Sequence, residues 1–344
     1  MSNWRFQLTD EERRDVKVLY LAPFAPDLGA GKPDFHPEVG VRAVYHYEIF
    51  KSLESLGLAV DTCRDLDELP ERAREANFIF SLFSRAPFRN CEIYVPSVCE
   101  RLRVPYLGAP PNIRALAEDK VLAKLLASSL GLRVAPSLAC VRSEDIPAQA
   151  PFEGPYFVKY RFGSASEKID LDCVQQDWTA AVAIARGFLD GGKECLIERL
   201  IPGIDVTVPV LGAARPVALQ PWAEISDLPY GIATFKQKRF LTSDRRRVPI
   251  RERKVAESAM ADAATLAAAC QPFDYMRVDF RWAPGDNSLT FLEFNIACNL
   301  GSTAAIMASA AAIGLSQTAC VEHILAHSLR RQSNFGRPWE TENI

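Results

Sequence analysis

The residues best suited to chemistry lie near the C-terminus, in two segments that flank a turn at 284–287. If segments 276–281 and 291–295 are strands, their two-residue period places four polar side chains on one face of a hairpin: Arg277, Asp279, Glu293 and Asn295. Carboxylate and amide oxygens are ligands that Mg²⁺ prefers, and Mg²⁺ usually binds one or two carboxylates together with substrate phosphates. The spacing therefore predicts a nucleotide–metal site with an arginine beside it.

The other face of this hairpin is predicted to be apolar. Alternate positions hold hydrophobic residues that we expect to face a core, namely Met276, Val278, Phe280, Leu292 and Phe294. An alternative for the polar face is a surface ladder of salt bridges between Arg277 and Asp279 or Glu293. A surface ladder needs no asparagine and requires both strands at an exposed edge, so the pattern favours the metal site.

Lys159 is a second candidate for binding. It lies in the apolar segment 156–160, and a central strand rarely tolerates an unpaired ammonium group. A buried lysine there needs an anion, and the small-residue loop 163–166 that follows could close over phosphates. The alternative is an edge strand whose lysine reaches solvent, followed by a plain turn.

Other polar residues are ambiguous when each is taken alone. Lys120 lies on an amphipathic helix, where lysines are usually solvated. Glu198 and Asp205 lie on either side of a proline–glycine turn, which suits an adenine edge and a ribose diol, or forms a charged turn between domains. His323 and His327 are spaced i,i+4 without a third ligand, so we expect a solvated helix face.

The arginine and cysteine residues give weaker indications. Residues 245–247 are three arginines that predict a solvated loop or an anion-binding segment. Cys298 lies close to the predicted site but has no neighbouring histidine that would make it a thiolate nucleophile. The nine cysteines are scattered without a Cys-x-x-Cys pair, which indicates reduced thiols.

Composition indicates an ordinary globular protein. The 344 residues suggest two or three domains. With 48% hydrophobic residues, 24% charged residues and a net charge of −3, nothing indicates a nucleic-acid partner. The polar N-terminal segment and the lack of a run of about 18 apolar residues predict no signal peptide and no membrane partner, so we expect a cytoplasmic protein.

The order of predicted elements indicates three units. Alternating strands and helices in the first hundred residues predict a parallel sheet that ends with a short strand at 105–108. A leucine-rich helix then begins near Asn112, its predicted N-cap, and runs to Leu130. The fold class is α/β, with α+β character in the later units. The predicted boundaries are 1–109, 110–203 and 204–344.

Five short motifs occur in a particular order along the chain. They are Asp119-Lys120, Val158-Lys159 with Gly163-Ser164, the segment from Glu198 to Asp205, Arg277-Val278-Asp279, and Glu293-Phe294-Asn295. Each is weak alone, but over roughly residues 15–330 the set resembles the ATP-grasp superfamily, with the closest likeness to the D-alanine–D-alanine ligase family. The resemblance implies an N-terminal Rossmann-like domain and two α+β subdomains that clasp ATP.

The resemblance also implies an activity. A substrate carboxylate attacks the γ-phosphoryl group of ATP to give an acyl phosphate, and an amine then displaces the phosphate to give an amide. The implied cofactors are ATP and two Mg²⁺ ions, for which Mn²⁺ can substitute. The implied partners are small-molecule carboxylate and amine substrates.

Individual residues acquire roles through the same resemblance. The ATP contacts would be Lys120 and Lys159 at the phosphates, Glu198, Arg199 and Ile201 at the adenine, Asp205 at the ribose, and Lys238, with Lys236 as its rival, at the γ-phosphate. Asp279, Glu293 and Asn295 would bind the metal ions. Arg277 would stabilise the oxyanion of the tetrahedral intermediate. Glu38, Ser164 and Lys238 would complete the catalytic set.

Departures from the family pattern concentrate at positions that contact the amino-acid substrates. Glu38 would hold the first substrate's amino group, but Gly40 replaces the usual serine nearby. Arg239 stands where a lid tyrosine is usual. The Pro-Gly pair that follows the metal-binding asparagine is replaced by Cys298-Asn299, and the expected serine falls on Ala304, with Ser302 and Thr303 as substitutes.

We therefore expect a ligase with other substrates, such as a dipeptide or a specialised metabolite, for which Glu38, Arg239, Asn299 and Ser302 would be substrate contacts. Additional arginines predict a substrate with an extra anionic group, namely residues 85, 89, 161, 239 and 245–247. The alternatives are a genuine D-alanine–D-alanine ligase, a non-catalytic ATP-binding protein, and a ligase that uses a thiol acceptor. A homodimer is expected because such ligases are commonly dimers.

Overall fold

The computed structural model describes residues 4–28, 40–86, 88–163, 170–232, 234 and 245–333. Across these residues the chain forms three sheets, one in each of three successive parts of the chain.

The first part contains a parallel sheet with the order β2–β1–β3, which confirms the predicted α/β beginning of the chain. Its strands are β1 (Lys17–Leu21), β2 (Ala59–Cys63) and β3 (Phe78–Ser81), and its helices are α1 (Asp10–Asp15), α2 (Arg42–Ser55), α3 (Leu69–Arg72) and α4 (Tyr94–Leu102). The strand predicted at 105–108 is wrong. Only one bridge forms there, from Tyr106 to Ile79, because the chain turns at Gly108, whose φ is +105°.

The second part is a four-stranded antiparallel sheet with the order β4–β7–β5–β6. Its strands are β4 (Ser137–Cys140), β5 (Tyr156–Tyr160), β6 (Val174–Gln175) and β7 (Cys195–Arg199), and helix α7 (Trp178–Asp190) packs on it. Asp177 caps α7 by accepting a hydrogen bond from the Ala180 backbone N–H. Strand β5 pairs on both sides, so it is not an edge strand.

The predicted leucine-rich helix is wrong as a single element, because it forms two helices, α5 (Pro111–Glu118) and α6 (Lys120–Ser129). The break is at Asp119, whose backbone is extended and whose carboxylate accepts hydrogen bonds from two backbone N–H groups of α6. An aspartate favours this N-cap position over a helix interior. Asn112 is not the N-cap of α5; Pro110 holds that position.

The third part is an antiparallel sheet with the order β11–β10–β8–β12–β13, to which β9 adds beside β8. Its strands are β8 (Ile204–Leu211), β9 (Val217–Ala218), β10 (Trp222–Ser226), β11 (Arg245–Pro249), β12 (Tyr275–Ala283) and β13 (Ser288–Asn295). The helices are α8 (Arg253–Ala269), α9 (Ala305–Ala312) and α10 (Gln317–Arg331). Helix α8 covers the apolar face of the sheet, which leaves the polar face of β8, β12 and β13 for a binding site.

A β-bulge changes one predicted core position. Asp279 is opposite Glu293, but the next residue, Phe280, is opposite Phe291, so Leu292 is the extra residue. Phe291 is therefore fully buried in the core, whereas Leu292 lines the pocket on the other side. The prediction that Leu292 faces the core is wrong for this reason.

The two histidines of α10 are packed inside the protein, so the predicted solvated helix face is wrong. The His323 ring is fully buried and bonds the Gly212 carbonyl at 3.0 Å. His327 bonds the carboxylate of Asp274, which is also fully buried. The same carboxylate accepts from Arg331 at 3.0 Å and from the Gly108 backbone N–H at 2.6 Å. Asp274 thereby joins the first and third parts of the chain.

No single helix within the described ranges is long and apolar enough to span a membrane, and α9 and α10 meet that test only as a pair bent by 101°.

Replacing Phe291 by alanine should destabilise the protein by about 3–5 kcal/mol, because it removes a fully buried ring that packs edge-on against Phe280. Urea unfolding measures the loss. Leu125→Ala is the matched control, since that side chain is 61% exposed on α6 and should change stability by less than about 0.5 kcal/mol. Equal losses in the two variants would contradict this account of the core.

Asp274→Asn should make the free energy of unfolding depend less on pH under acidic conditions. Burial alone would raise the pKa of Asp274, but Arg331 and His327 outweigh it, and the pKa is lowered. A lowered pKa gives stability that is present above the unfolded value of about 3.9 and is lost as the pH falls below it. Urea unfolding between about pH 3 and 7 measures the slope, and an unchanged slope in the variant would contradict this role.

Candidate active site

The four polar residues of the predicted metal site lie on one face of the third sheet. Arg277 is opposite Asn295, and Asp279 is opposite Glu293. Nε and Nη2 of Arg277 donate to the two oxygens of the Asp279 carboxylate at 2.9 and 2.7 Å. The Thr207 hydroxyl donates to the same carboxylate at 2.7 Å. The predicted shared face is therefore confirmed.

The donor set of this face fits a hard divalent cation. The Asn295 amide nitrogen lies 3.4 Å from Asp279 Oδ2 and 3.5 Å from Glu293 Oε1, so two carboxylates and an amide converge. Burial raises the pKa of Asp279, Arg277 opposes that rise and Glu293 adds to it. A cation between the carboxylates would relieve their repulsion, and Mg²⁺ would find oxygen ligands there. Since the described residues contain no group of three His, Cys, Asp or Glu suited to a metal, further ligands would come from bound phosphates.

Lys159 has a buried anionic partner in Glu198. Its Nζ lies 2.7 Å from Glu198 Oε1, and the Lys124 Nζ lies 3.0 Å from Oε2. The expectation that Lys159 needs an anion is confirmed, and the edge-strand alternative is wrong because β5 is an interior strand. Lys124 was not predicted. Its i,i+4 spacing from Lys120, which places both lysines on one helix face, was the available signal.

The prediction that Lys120 is solvated, taken from its helix alone, is wrong. Lys120 is the first residue of α6 and is 7% exposed, and its Nζ donates to the Gly163 carbonyl at 2.6 Å. The break at Asp119 turns this position inward. The Arg161 guanidinium donates to the Asp119 carboxylate at 2.7–3.1 Å. This contact fixes the break between α5 and α6 next to the end of β5.

The connection between β7 and β8 forms one end of the pocket. Arg199, Ile201 and Asp205 line it together with Lys159 and Glu198. Arg281 also lines it, donating to the Ile201 carbonyl at 2.9 Å and to Asp205 Oδ1 at 2.6 Å. Arg281 was not predicted as a site residue, although it continues the alternate positions of Arg277 and Asp279 along β12.

The segment that leads into α9 also lines the pocket, where Asn299, Thr303 and Ala304 are among the lining residues. Ser302 does not line the pocket; its hydroxyl donates to Glu48 at 2.9 Å. Burial raises the pKa of Cys298 to about 12 despite the nearby Arg277, which agrees with the expectation that this thiol is not a nucleophile.

Among the additional arginines that were expected to bind an anionic group of the substrate, Arg247 lines the pocket. Residues 245–249 form strand β11 instead of a loop, and the Arg247 guanidinium donates to the Glu224 carboxylate and to the Thr303 carbonyl. By contrast, Arg89 and Arg161 form ion pairs with Glu194 outside the pocket. Among the described members of this predicted arginine set, Arg247 therefore brings positive charge to the pocket, where it is paired with Glu224.

The pocket has a volume of about 270 Å³ and brings most of the described site residues together. Asn295 contacts the lining residues Asp279 and Glu293, and Lys120 interacts electrostatically with the lining residues Glu293, Lys159 and Glu198. Several predicted residues lie outside the described part of the chain, namely Glu38, Ser164, Lys236, Lys238 and Arg239.

Known proteins resemble the chain in sequence. No family model matches it. A D-alanine–D-alanine ligase of Gluconobacter oxydans is 28% identical over 244 residues, which are 69% of this chain and 76% of that protein. A D-alanine–D-alanine ligase of Syntrophobacter fumaroxidans is 27% identical over 294 residues, which are 82% of this chain and 91% of that protein.

Solved structures resemble the chain in fold. The D-alanine–D-alanine ligase from Bacillus anthracis, complexed with ATP, gives a TM-score of 0.71 at 16% identity and covers 93% of this chain and 100% of that one. The VanG D-Ala:D-Ser ligase from Enterococcus faecalis gives 0.69 at 17% identity, covering 91% and 100%. The chain is thus a D-alanine–D-alanine ligase-like protein with the ATP-grasp fold, in the class of ATP-dependent enzymes that join a carboxylate to an amine.

Proposed function

We propose that this protein is an ATP- and Mg²⁺-dependent ligase that joins the carboxylate of an amino acid to an amine, and that its substrates are not two molecules of D-alanine. The observation that supports this most is the shared pocket. The Arg277, Asp279 and Glu293 face lines this pocket together with the buried Lys159–Glu198 pair and the connection between β7 and β8. The pocket therefore combines groups suited to a nucleotide with groups suited to a reacting carboxylate.

The proposed reaction has two steps. A carboxylate oxygen attacks the γ-phosphorus, the bond to ADP breaks, and an acyl phosphate forms. The amine then attacks the carbonyl carbon, loses a proton, and displaces phosphate. When bound, Mg²⁺ would offset the negative charge of the transferring phosphoryl group. Asp279, Glu293 and Asn295 would hold it.

Arg277 is oriented for the second step. Its Nε and Nη2 are held by Asp279, and within the described residues its Nη1 donates no hydrogen bond. The guanidinium lines the pocket with that nitrogen available to a developing oxyanion. Burial lowers the pKa of Arg277, but Asp279 overrides this and raises it, so the group stays charged. We propose that Arg277 stabilises the tetrahedral intermediate.

The residues that lead into α9 support the proposal of different substrates. Asn299 brings a side chain to the position that corresponds to a glycine in the family pattern, and the neighbouring Ala304 carries no hydroxyl. The Arg247–Glu224 pair lines the same pocket and offers both charges to a zwitterionic substrate. We also propose that the protein is cytoplasmic and forms a homodimer.

A genuine D-alanine–D-alanine ligase is the second candidate, because the relatives described above have that name. Phosphate release from ATP and Mg²⁺ across a panel of D- and L-amino acids and dipeptides separates the two functions. We expect turnover with a pair other than D-alanine alone, with the product identified by mass. Efficient turnover with D-alanine alone would overturn the proposed specificity, and no release with any pair would favour a non-catalytic nucleotide-binding protein.

Glu293→Gln should reduce turnover by on the order of a hundredfold or more, since it removes one of the two carboxylates that face each other at the metal site. The amide is nearly isosteric, so the thermal midpoint of unfolding should change little. Glu257→Gln, on the exposed side of α8 where Glu257 pairs with Arg253, is the matched control and should keep full activity. Full activity in Glu293→Gln would refute the assigned role.

A further inference from the structure

Glu198 is held between two buried ammonium groups. Lys159 approaches one carboxylate oxygen at 2.7 Å and Lys124 approaches the other at 3.0 Å. All three residues are at most 6% exposed. Two lysines on one carboxylate leave this cluster with an excess positive charge inside the protein.

The two lysines are not equivalent with respect to the pocket. Lys159 and Glu198 line it, whereas Lys124, on α6, does not line it and approaches the second oxygen of Glu198. A phosphate that enters the pocket can therefore meet Lys159 directly. Lys159 would then exchange Glu198 for the phosphate, and Glu198 would keep Lys124 as its partner.

The other charged groups near the cluster are Lys120 and Glu293. Lys120 interacts electrostatically with Lys159 and Glu198, and Glu293 interacts with Lys120 and Lys124. Neither forms an ion pair with Glu198 among the described contacts. Burial would raise the pKa of Glu198, but Lys124 and Lys159 outweigh it and lower the pKa to about 2. Glu198 is thus ionised throughout the neutral range while both lysines are present.

We propose that Lys124 is a positioning residue for nucleotide binding, which holds Glu198 as a carboxylate after Lys159 has turned to the nucleotide phosphates. This inference rests on the proposed nucleotide site. A buried carboxylate without a partner is costly, so without Lys124 the release of Lys159 would be opposed. Lys124 makes Lys159 available for phosphate without contacting the nucleotide itself.

The test compares ligands with and without phosphates. In Lys124→Met, the affinity for ADP with Mg²⁺ at pH 8 should fall about ten- to hundredfold, the range for a lost interaction with a charged group. The affinity for adenosine should change by less than about threefold, because adenosine leaves Lys159 on Glu198. Isothermal titration calorimetry measures ADP, and adenosine is measured by ligand-observed NMR. Lys51→Met, an exposed lysine paired with Glu54, is the control and should match the wild type.

The pH profile separates positioning from a purely structural role. In Lys124→Met, ADP should bind more tightly at pH 6 than at pH 8, because Glu198 can take up a proton once Lys159 leaves it. In the Glu198→Gln background, adding Lys124→Met should cost little ADP affinity and give no such pH dependence.

Three outcomes are decisive. Equal losses of ADP and adenosine affinity, or an ADP affinity in Lys124→Met equal to that of the wild type, would overturn the role of Lys124. A wild-type protein that binds no ADP would instead overturn the proposed nucleotide site. If Lys124→Met does not fold, Lys124→Arg replaces it and should keep ADP affinity within about threefold with no pH dependence, since it retains the charge.

Discussion

The arrangement of this site depends on the repulsion between two carboxylates, Asp279 and Glu293, that face each other across neighbouring strands. Burial and the nearby Glu293 disfavour the ionised form of Asp279, whereas Arg277 and Thr207, which both donate to this carboxylate, favour it. A cation is the natural complement to such a pair. Under the proposed function, the nearby lysines would bind the phosphates of the nucleotide.

Parts of the pocket differ in how closely they follow the family pattern. Lys159, Glu198 and Asp205 lie on the expected strands and line the pocket. Asn299 and Arg247 also line it, and Arg247 donates to the Thr303 carbonyl just before α9. Under the proposed function, the first set would bind the nucleotide and the second would select an amino acid other than D-alanine.

The sequence predicted what depends on local periodicity. The alternation in β12 and β13 placed Arg277, Asp279 and Asn295 correctly, and the need of a buried ammonium for an anion was met at Lys159. It did not predict features that depend on tertiary contacts. The bulge that moves Leu292 is a property of strand register. The burial of Lys120 and the pairing of Lys124 with Glu198 depend on how α6 packs within the folded chain.

The proposed ligase activates a substrate carboxylate as an acyl phosphate in this pocket. The most direct measurement is oxygen transfer: the amino acid that supports turnover is labelled with ¹⁸O in its carboxylate, and the released phosphate is analysed by mass spectrometry. The account predicts one ¹⁸O atom in each phosphate formed with product, because the carboxylate oxygen stays on phosphorus when the amine displaces it. Unlabelled phosphate would show that water attacks ATP, and would contradict the ligase mechanism.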